Sequence, residues 1–133
     1  MRACIVVGAL ALAACAGGTP PAAEQAALAD VPGKAIGDPV SCVQMRDVER
    51  FEPVNKYVAF VHMRGNKVYR TDFAGGCPGL KRDDTLVIKT SIAQYCRGDI
   101  FETVDPVSNF SSGSCAFGAF TPYELPKAEK AGG

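Results

Sequence analysis

The clearest pattern in the chain is a pair of neighbouring runs in which apolar residues alternate, KYVAFVHM at 56–63 and KVYRTDF at 67–73. Both runs are rich in Val, Phe and Tyr, which favours β-strands. Gly65-Asn66 lies between them and tolerates positive φ, so the pattern predicts a hairpin with a two-residue turn. Both faces of the first run are mostly apolar, which predicts a central strand or a strand of a closed barrel.

The β pattern continues in four further short runs. Asp105-Pro106 and Thr121-Pro122 interrupt it, because such pairs favour turns. The predicted fold class is therefore all-β, with about six strands in a small barrel or compact sandwich over residues 40–125. The additional strands are predicted at 41–48, 85–91, 99–105 and 115–120.

The first fourteen residues have the pattern of an export signal. Met1-Arg2 supplies a positive start, and eleven apolar residues follow from Cys4 to Ala14. A membrane-spanning helix needs about 20 apolar residues, so this run is too short to be one. We predict a signal peptide over residues 1–14, with a buried N-terminal helix as the alternative.

Residues 12–15, Leu-Ala-Ala-Cys, resemble the lipobox of bacterial lipoproteins. The resemblance implies cleavage between Ala14 and Cys15 and lipidation of Cys15, so that the membrane would be a partner through a lipid anchor. Two or more acyl chains anchor a protein stably. Ala16 after the cysteine favours the outer membrane, by resemblance to proteobacterial lipoproteins. The alternative is ordinary signal cleavage nearby with Cys15 as a free thiol.

Residues 15–39 are rich in Gly, Pro and Ala and have no strong apolar pattern. Such a composition cannot offset the entropy of ordering a backbone. We therefore predict a lipidated, flexible tether over 15–39, with a span of roughly 25–30 Å. Residues 126–133 are predicted to be a disordered tail.

The charge balance argues against a nucleic-acid partner. The chain has 14 basic and 14 acidic residues, and removal of residues 1–14 takes away only Arg2, which leaves a net charge of −1. Nonspecific nucleic-acid binding needs a clear basic excess.

Four cysteines remain in the predicted domain, namely Cys42, Cys77, Cys96 and Cys115. An even number in an exported domain predicts two disulfides. We favour Cys42–Cys115, which would tie the first strand to the last, and Cys77–Cys96, which would close a short loop. The rival reading is a zinc site with four thiolates, but paired C-x2-4-C spacings are absent, so we expect neither a metal nor a cofactor.

Residue types suited to catalysis are few. The single histidine, His62, lies in the middle of a predicted strand, where packing is its ordinary role. Asp99 and Glu102 lie close together, and paired carboxylates are able to support glycoside hydrolysis. The segment 105–114, DPVSNFSSGS, is a candidate binding loop, with Asp105, Asn109 and Phe110 as its candidate contacts.

Four motifs together resemble a family of small exported proteobacterial proteins known only as a domain of unknown function. The motifs are VYRTDF, GGCPGL, YCRGDI and CAFGAF, and the resemblance covers residues 41–123. It implies export and a four-cysteine framework, and it implies no activity, cofactor or catalytic residue. The residues that carry it are Cys42, Tyr69, Cys77-Pro78-Gly79-Leu80, Cys96, Asp99, Cys115 and Gly118.

These observations favour an outer-membrane-anchored periplasmic lipoprotein of unknown activity. Its domain is expected to be a noncatalytic binding or structural module of the cell envelope, whose partner is an envelope protein or a cell-wall component. Two alternatives stay open. One is a periplasmic inhibitor of a cell-wall hydrolase that acts through the loop 105–114, and the other is a small hydrolase that uses Asp99 or Glu102.

Overall fold

The computed structural model describes residues 21–127, which form one short helix, a single 3-10 turn and ten strands. The predicted signal peptide, its cleavage site and the lipidation site at Cys15 lie outside the described residues. In chain order the elements are α1 (Ala22–Ala29), β1 (Lys34–Ala35), β2 (Cys42–Gln44), the 3-10 turn (Met45–Asp47), β3 (Val48–Asn55), β4 (Val58–Met63), β5 (Lys67–Asp72), β6 (Thr85–Ile88), β7 (Gln94–Cys96), β8 (Ile100–Val104), β9 (Ser111–Ala116) and β10 (Phe120–Glu124).

The strands form three antiparallel sheets, which confirms the mainly β prediction. The largest has the order β1-β10-β5-β4-β3, the second β6-β8-β9, and the smallest pairs β2 with β7. The sheets do not close into a barrel, because β3 pairs only with β4 and β1 pairs only with β10. Two register irregularities interrupt β3, which contains Pro53. Bulges and proline are typical of an edge strand, and they discourage pairing on its open side.

Strand β4 is central, as both of its apolar faces predicted. Val58 to Val61 are all buried between β3 and β5. The hairpin to β5 has a three-residue loop, so the predicted two-residue turn is wrong. Met63 pairs with Lys67, and the Arg64 amide donates to the Asp47 carbonyl at 2.8 Å, so the 3-10 turn holds the loop.

The chain after β8 departs most from the prediction. The run 115–120 is divided between β9 and β10, and residues 117–119 cross from one sheet to another. Strand β10 also continues through Pro122, where a break was expected. The carbonyl of Pro122 accepts the Ile36 amide at 2.9 Å. In an antiparallel strand, the N–H and C=O of one residue point to the same side, so the side of Pro122 that lacks an N–H is the side of the short strand β1. The pairing of β10 with β5 is therefore intact.

The principal core lies between the five-stranded sheet and the two smaller sheets. Its centre is Phe117, which is 3% exposed and contacts five other aromatic rings. The shortest ring separation, 4.5 Å, joins it to Phe101 on β8. Aromatic pairs at these separations stabilise a fold beyond the area that they bury. The crossing segment 117–119 therefore places the ring that joins all three sheets.

The opposite face of the large sheet carries the N-terminal segment. Ala27 and Leu28 of α1 pack against a second apolar cluster that includes Phe60 and Tyr123. The tether prediction is therefore wrong for the part of residues 15–39 that forms α1 and β1. The reason is tertiary, because the apolar surface that orders this segment belongs to β4 and β10.

The four cysteines form two disulfides, as predicted, but the favoured pairing is wrong. The bonds join Cys42 to Cys96 and Cys77 to Cys115. Cys42 and Cys96 are direct partners in the β2–β7 ladder. Cys115 on β9 instead faces the principal core, where Cys77 is fully buried. Because all four sulfurs are bonded, the zinc reading has no thiolates to bind the metal.

Candidate functional site

The predicted binding loop is the tip of the β8–β9 hairpin. Its backbone is held by Asp105, whose Oδ1 accepts the amides of Val107 and Ser108 at 2.8 and 3.0 Å. The Asp105 amide donates to the Phe110 carbonyl at 3.0 Å, and the Asp105 carbonyl accepts the Asn109 amide at 2.8 Å. Asn109 adopts φ of 59°, a conformation that asparagine tolerates better than most residues. The tip 105–110 is therefore a defined turn.

Two large apolar side chains project from this turn into solvent. Val107 is 91% exposed and Phe110 is 77% exposed, the two highest values among the large apolar side chains of residues 21–127. Single exposed apolar residues are ordinary, but two on one ordered tip are a candidate contact surface. Phenylalanine is among the side chains enriched at protein interfaces.

The electrostatics of the tip follow from the same turn. Hydrogen bonds from the amides of Ser108 and Val107 lower the pKa of Asp105, and the positive charge of Lys81 adds to the effect. The Lys81 Nζ lies 3.9 Å from Asp105 Oδ2. Asp105 is therefore a structural carboxylate, and the exposed part of the tip is mainly apolar.

The base of the hairpin is anchored in the core. Thr103 on β8 is fully buried, and its Oγ1 donates to the Gly113 carbonyl at 3.4 Å. The register shifts between Thr103 and Val104, which bends the hairpin near its tip. Two residues after Gly113, the disulfide of Cys115 joins β9 to the segment after β5. A rigid base reduces the entropy lost when the tip binds a partner.

The two carboxylates of the hydrolase alternative have separate local contacts. Asp99 Oδ2 accepts the Cys96 amide at 2.8 Å and so closes the turn between β7 and β8. Glu102 lies on β8, and its Oε1 is 4.0 Å from Lys89 Nζ. Asp99 therefore stabilises a turn, and Glu102 pairs with a surface lysine.

His62 lies on β4, on the face of the large sheet that also carries α1. Its Nε2 is 2.6 Å from Glu52 Oε2, and the carboxylate is the acceptor of this hydrogen bond. Arg50 lies beside the pair, with Nη2 3.6 Å from Glu52 Oε2. The three side chains form a cross-strand polar cluster, and His62 itself is only 14% exposed.

Within residues 21–127, no three side chains of His, Cys, Asp or Glu come together in a group suited to a metal ion. No helix in this range is long and apolar enough to cross a membrane.

Comparison with known proteins supports the resemblance seen in the motifs. A model of a family of unknown function, DUF6491, matches residues 1–132. The chain belongs to this family. The match extends the resemblance from residues 41–123 to nearly the whole chain of this DUF6491 protein. No curated protein and no solved structure matches it.

The prediction of the tip in this DUF6491 protein named Asp105, Asn109 and Phe110 and missed Val107. The structure gives the first two a backbone role and leaves Phe110 exposed beside Val107. The sequence signal for Val107 was its position directly after Asp105-Pro106, because residues of a connecting turn usually lie on the protein surface.

Proposed function

We propose that this DUF6491 protein is a periplasmic lipoprotein anchored to the outer membrane through Cys15. In this proposal its β domain is a noncatalytic binding module, and the tip 105–110 docks on another component of the cell envelope. Docking through the tip is supported by one observation, namely that Val107 and Phe110 are exposed on a turn whose backbone is already ordered.

An ordered aromatic tip suits binding for an energetic reason. A few buried aromatic or aliphatic anchors supply most of the affinity of an interface. Here the side chain of Asp105 has already fixed the turn, so that docking would order mainly the side chains of Val107 and Phe110. The expected partner surface is a concave apolar pocket that accepts the Phe110 ring.

The anchor is supported by the sequence Leu-Ala-Ala-Cys at 12–15 and by the pattern of two disulfides, which is typical of exported domains. The Cys15→Ser variant tests it in bacterial cells that are fed an alkyne analogue of palmitate. Wild-type protein should be labelled and remain in the membrane fraction, and the variant should lose both properties. Labelling of the variant at the wild-type level would overturn the anchor.

Docking is tested by replacing Phe110 with a photo-crosslinking amino acid in living cells. Ile92 provides the matched control, because it is also apolar and exposed, at 54%, but lies outside the tip. We expect a discrete crosslinked product at position 110 that is absent at position 92 and is reduced by excess wild-type protein. Identical products at both positions, or none at 110, would contradict docking through the tip.

A second candidate function is inhibition of a cell-wall hydrolase, which the shape of the same hairpin favours. A rigid tip with an exposed aromatic ring is suited to insertion into an enzyme cleft. The test is to titrate the full chain against lysozyme acting on purified cell walls. Inhibition by wild-type protein should fall at least tenfold in Phe110→Ala, whereas inhibition that persists in a variant lacking 106–109 would exclude this role.

A further inference from the structure

A second surface, distant in sequence from the tip, carries the features of a peptide-binding groove. It has a volume of about 400 Å³ and lies between β2, the 3-10 turn and the β4–β5 hairpin. Its size falls at the small end of the range for ligand sites, about 300–1,000 Å³. No residue of the tip 105–110 lines this groove.

The groove runs along the free edge of β2. Cys42, Val43 and Gln44 all line it, although side chains of consecutive strand residues point to opposite faces. Three consecutive residues can line one groove only if it follows the edge of the strand. The other edge of β2 is occupied by β7.

The free edge of β2 presents unpaired backbone groups. The Ser41 carbonyl and the Met45 amide bond to residues beside β7, so odd-numbered positions face that strand. By the alternation of an antiparallel ladder, Cys42 and Gln44 direct their N–H and C=O groups the other way. Within residues 21–127 the Gln44 carbonyl accepts the Asp47 amide that closes the 3-10 turn, whereas the N–H and C=O of Cys42 and the N–H of Gln44 have no backbone partner. Such an edge is able to accept an additional strand.

The opposite wall of the groove carries positive charge. The backbone of Arg64 is held by the bond from its amide to the Asp47 carbonyl, and its side chain lines the groove. Lys67 lies opposite Met63 in the register and on the same side of β5 as Tyr69. In the described part of the chain, neither cation has a carboxylate within 4.0 Å.

Two further side chains that line the groove, Asp47 and Tyr69, bear on its charge and hydrogen bonding. Asp47 is its only acidic lining residue, and Arg46 lies 3.9 Å away, so that its charge is partly balanced. The half-buried Tyr69 packs its ring against the principal core. Between residues 21 and 127 its hydroxyl has no hydrogen-bond partner, and it is not buried, so it remains available as a donor.

We propose that this groove binds an extended acidic peptide, which adds as a strand to the edge of β2 while its carboxylates contact Arg64 and Lys67. Backbone bonds to Cys42 and Gln44 would hold the peptide main chain. The two cations would select acidic side chains or a terminal carboxylate, because charge-assisted hydrogen bonds are the stronger ones. The proposal depends on no part of the function proposed above.

The test uses the full chain, isotope-labelled in detergent micelles, and NMR titration with acetyl-Ala-Glu-Ala-Glu-Ala. We expect the largest amide shifts at Cys42 and Gln44. The same peptide with an amidated C-terminus has only side-chain carboxylates, so comparison of the two forms shows which kind of carboxylate is recognised. Binding of either form supports the proposal. A glutamine peptide that binds as tightly as both acidic forms would overturn it.

Variants separate the two parts of the proposal. Arg64→Gln and Lys67→Gln should each weaken binding of the acidic peptide about three- to tenfold. Lys89→Gln is the matched control, since Lys89 is an exposed lysine outside the groove, and it should change affinity by less than twofold. An equal loss in the control would reduce the effect to overall charge and contradict the site.

N-methylated peptides test the strand addition itself. Methylation of alternate amides in one of the two registers should abolish the shifts at Cys42 and Gln44, because that register supplies the donor to the Cys42 carbonyl. Methylation of the other register should leave them in place. Equal binding of both methylated peptides would show that the backbone is not recognised and would overturn strand addition.

Discussion

At the residue scale, single positions have roles that their type alone does not reveal. A Cβ on Gly118 would collide with the backbone carbonyl oxygen of Asp72, so glycine is needed here for close packing of two segments. Asp105 has a negative charge near Lys81, yet its principal role is to accept two backbone amides. The role of Gly118 depends on a segment that is distant in sequence, and the role of Asp105 depends on the conformation of its own turn.

The lowered pKa of Asp105 predicts a pH dependence of stability. Its amide bonds favour the ionised form in the folded state, so folding gains stability above the unfolded pKa, near 3.8. This contribution is lost as the pH falls through the lower, folded pKa. In urea unfolding, the difference in free energy between wild type and Asp105→Asn should be constant above about pH 5 and should shrink below about pH 4.

The matched control for this prediction is Asp83→Asn, since Asp83 is an exposed aspartate in another loop. The difference in free energy of unfolding between wild type and Asp83→Asn should change less over the same pH range. A difference for Asp105→Asn that grows as the pH falls would have the wrong sign and would contradict the assignment.

At the element scale, the helix α1 depends on the sheet beneath it. An isolated helix of eight residues is not stable in water. Two side chains of the sheet bind its last turn, because Asn55 Nδ2 donates to the Ala27 carbonyl at 3.1 Å and Arg70 Nη2 donates to the Leu28 carbonyl at 2.9 Å. Burial disfavours the charge of Arg70, but hydrogen bonds and attraction from Asp72 outweigh it and raise the pKa of Arg70. A charged donor is therefore always present at the helix end.

Removing that donor should release the helix. Arg70→Gln loses the charge-assisted bond to Leu28 and the pair with Asp72, which we expect to lower the free energy of local opening by about 1–2 kcal/mol. Hydrogen exchange of the Gln25 and Asp30 amides, which bond within this segment, should accelerate about 5- to 30-fold.

Lys67→Gln is the control for this experiment, because it changes a cation on the same strand but on the opposite face. It should leave exchange in α1 at the wild-type rate. Unchanged exchange in Arg70→Gln would show that apolar packing and the Asn55 bond hold the helix without Arg70.

At the scale of the whole molecule, the two disulfides join different parts of the fold. Cys42–Cys96 connects a three-residue strand pair at the surface, whereas Cys77–Cys115 passes through the principal core. Their sequence separations, 54 and 38, are similar. The chain-entropy model therefore assigns each disulfide a stabilisation of about 4 kcal/mol. A measured difference between their contributions to the free energy of unfolding would then come from their surroundings in the fold.

We expect the double variant Cys77→Ala/Cys115→Ala to lower the free energy of unfolding more than Cys42→Ala/Cys96→Ala. Loss of buried sulfur atoms leaves space in the core and adds about 1–2 kcal/mol to the entropic effect. Urea unfolding of both variants measures the order, and a core variant that fails to fold while the other folds agrees with it. The reverse order would contradict this account.

The sequence by itself determined the β class, the central strand β4 and the exposed tip, because these depend on local patterns. Alternating apolar residues specify which faces of a strand are buried. Asp105-Pro106 specifies a turn, and an even number of cysteines favours two disulfides. These features are short in range or follow from composition, so they need no knowledge of which strands are neighbours.

Only the tertiary structure decided which distant segments meet. The cysteine pairing follows from the β2–β7 ladder, and the order of α1 follows from an apolar face supplied by β4 and β10. The groove beside Arg64 and Lys67 brings together residues of β2, the 3-10 turn and the β4–β5 hairpin. No local pattern encodes these contacts, since the free energy that selects them comes from surfaces that are distant in sequence and are buried together only on folding.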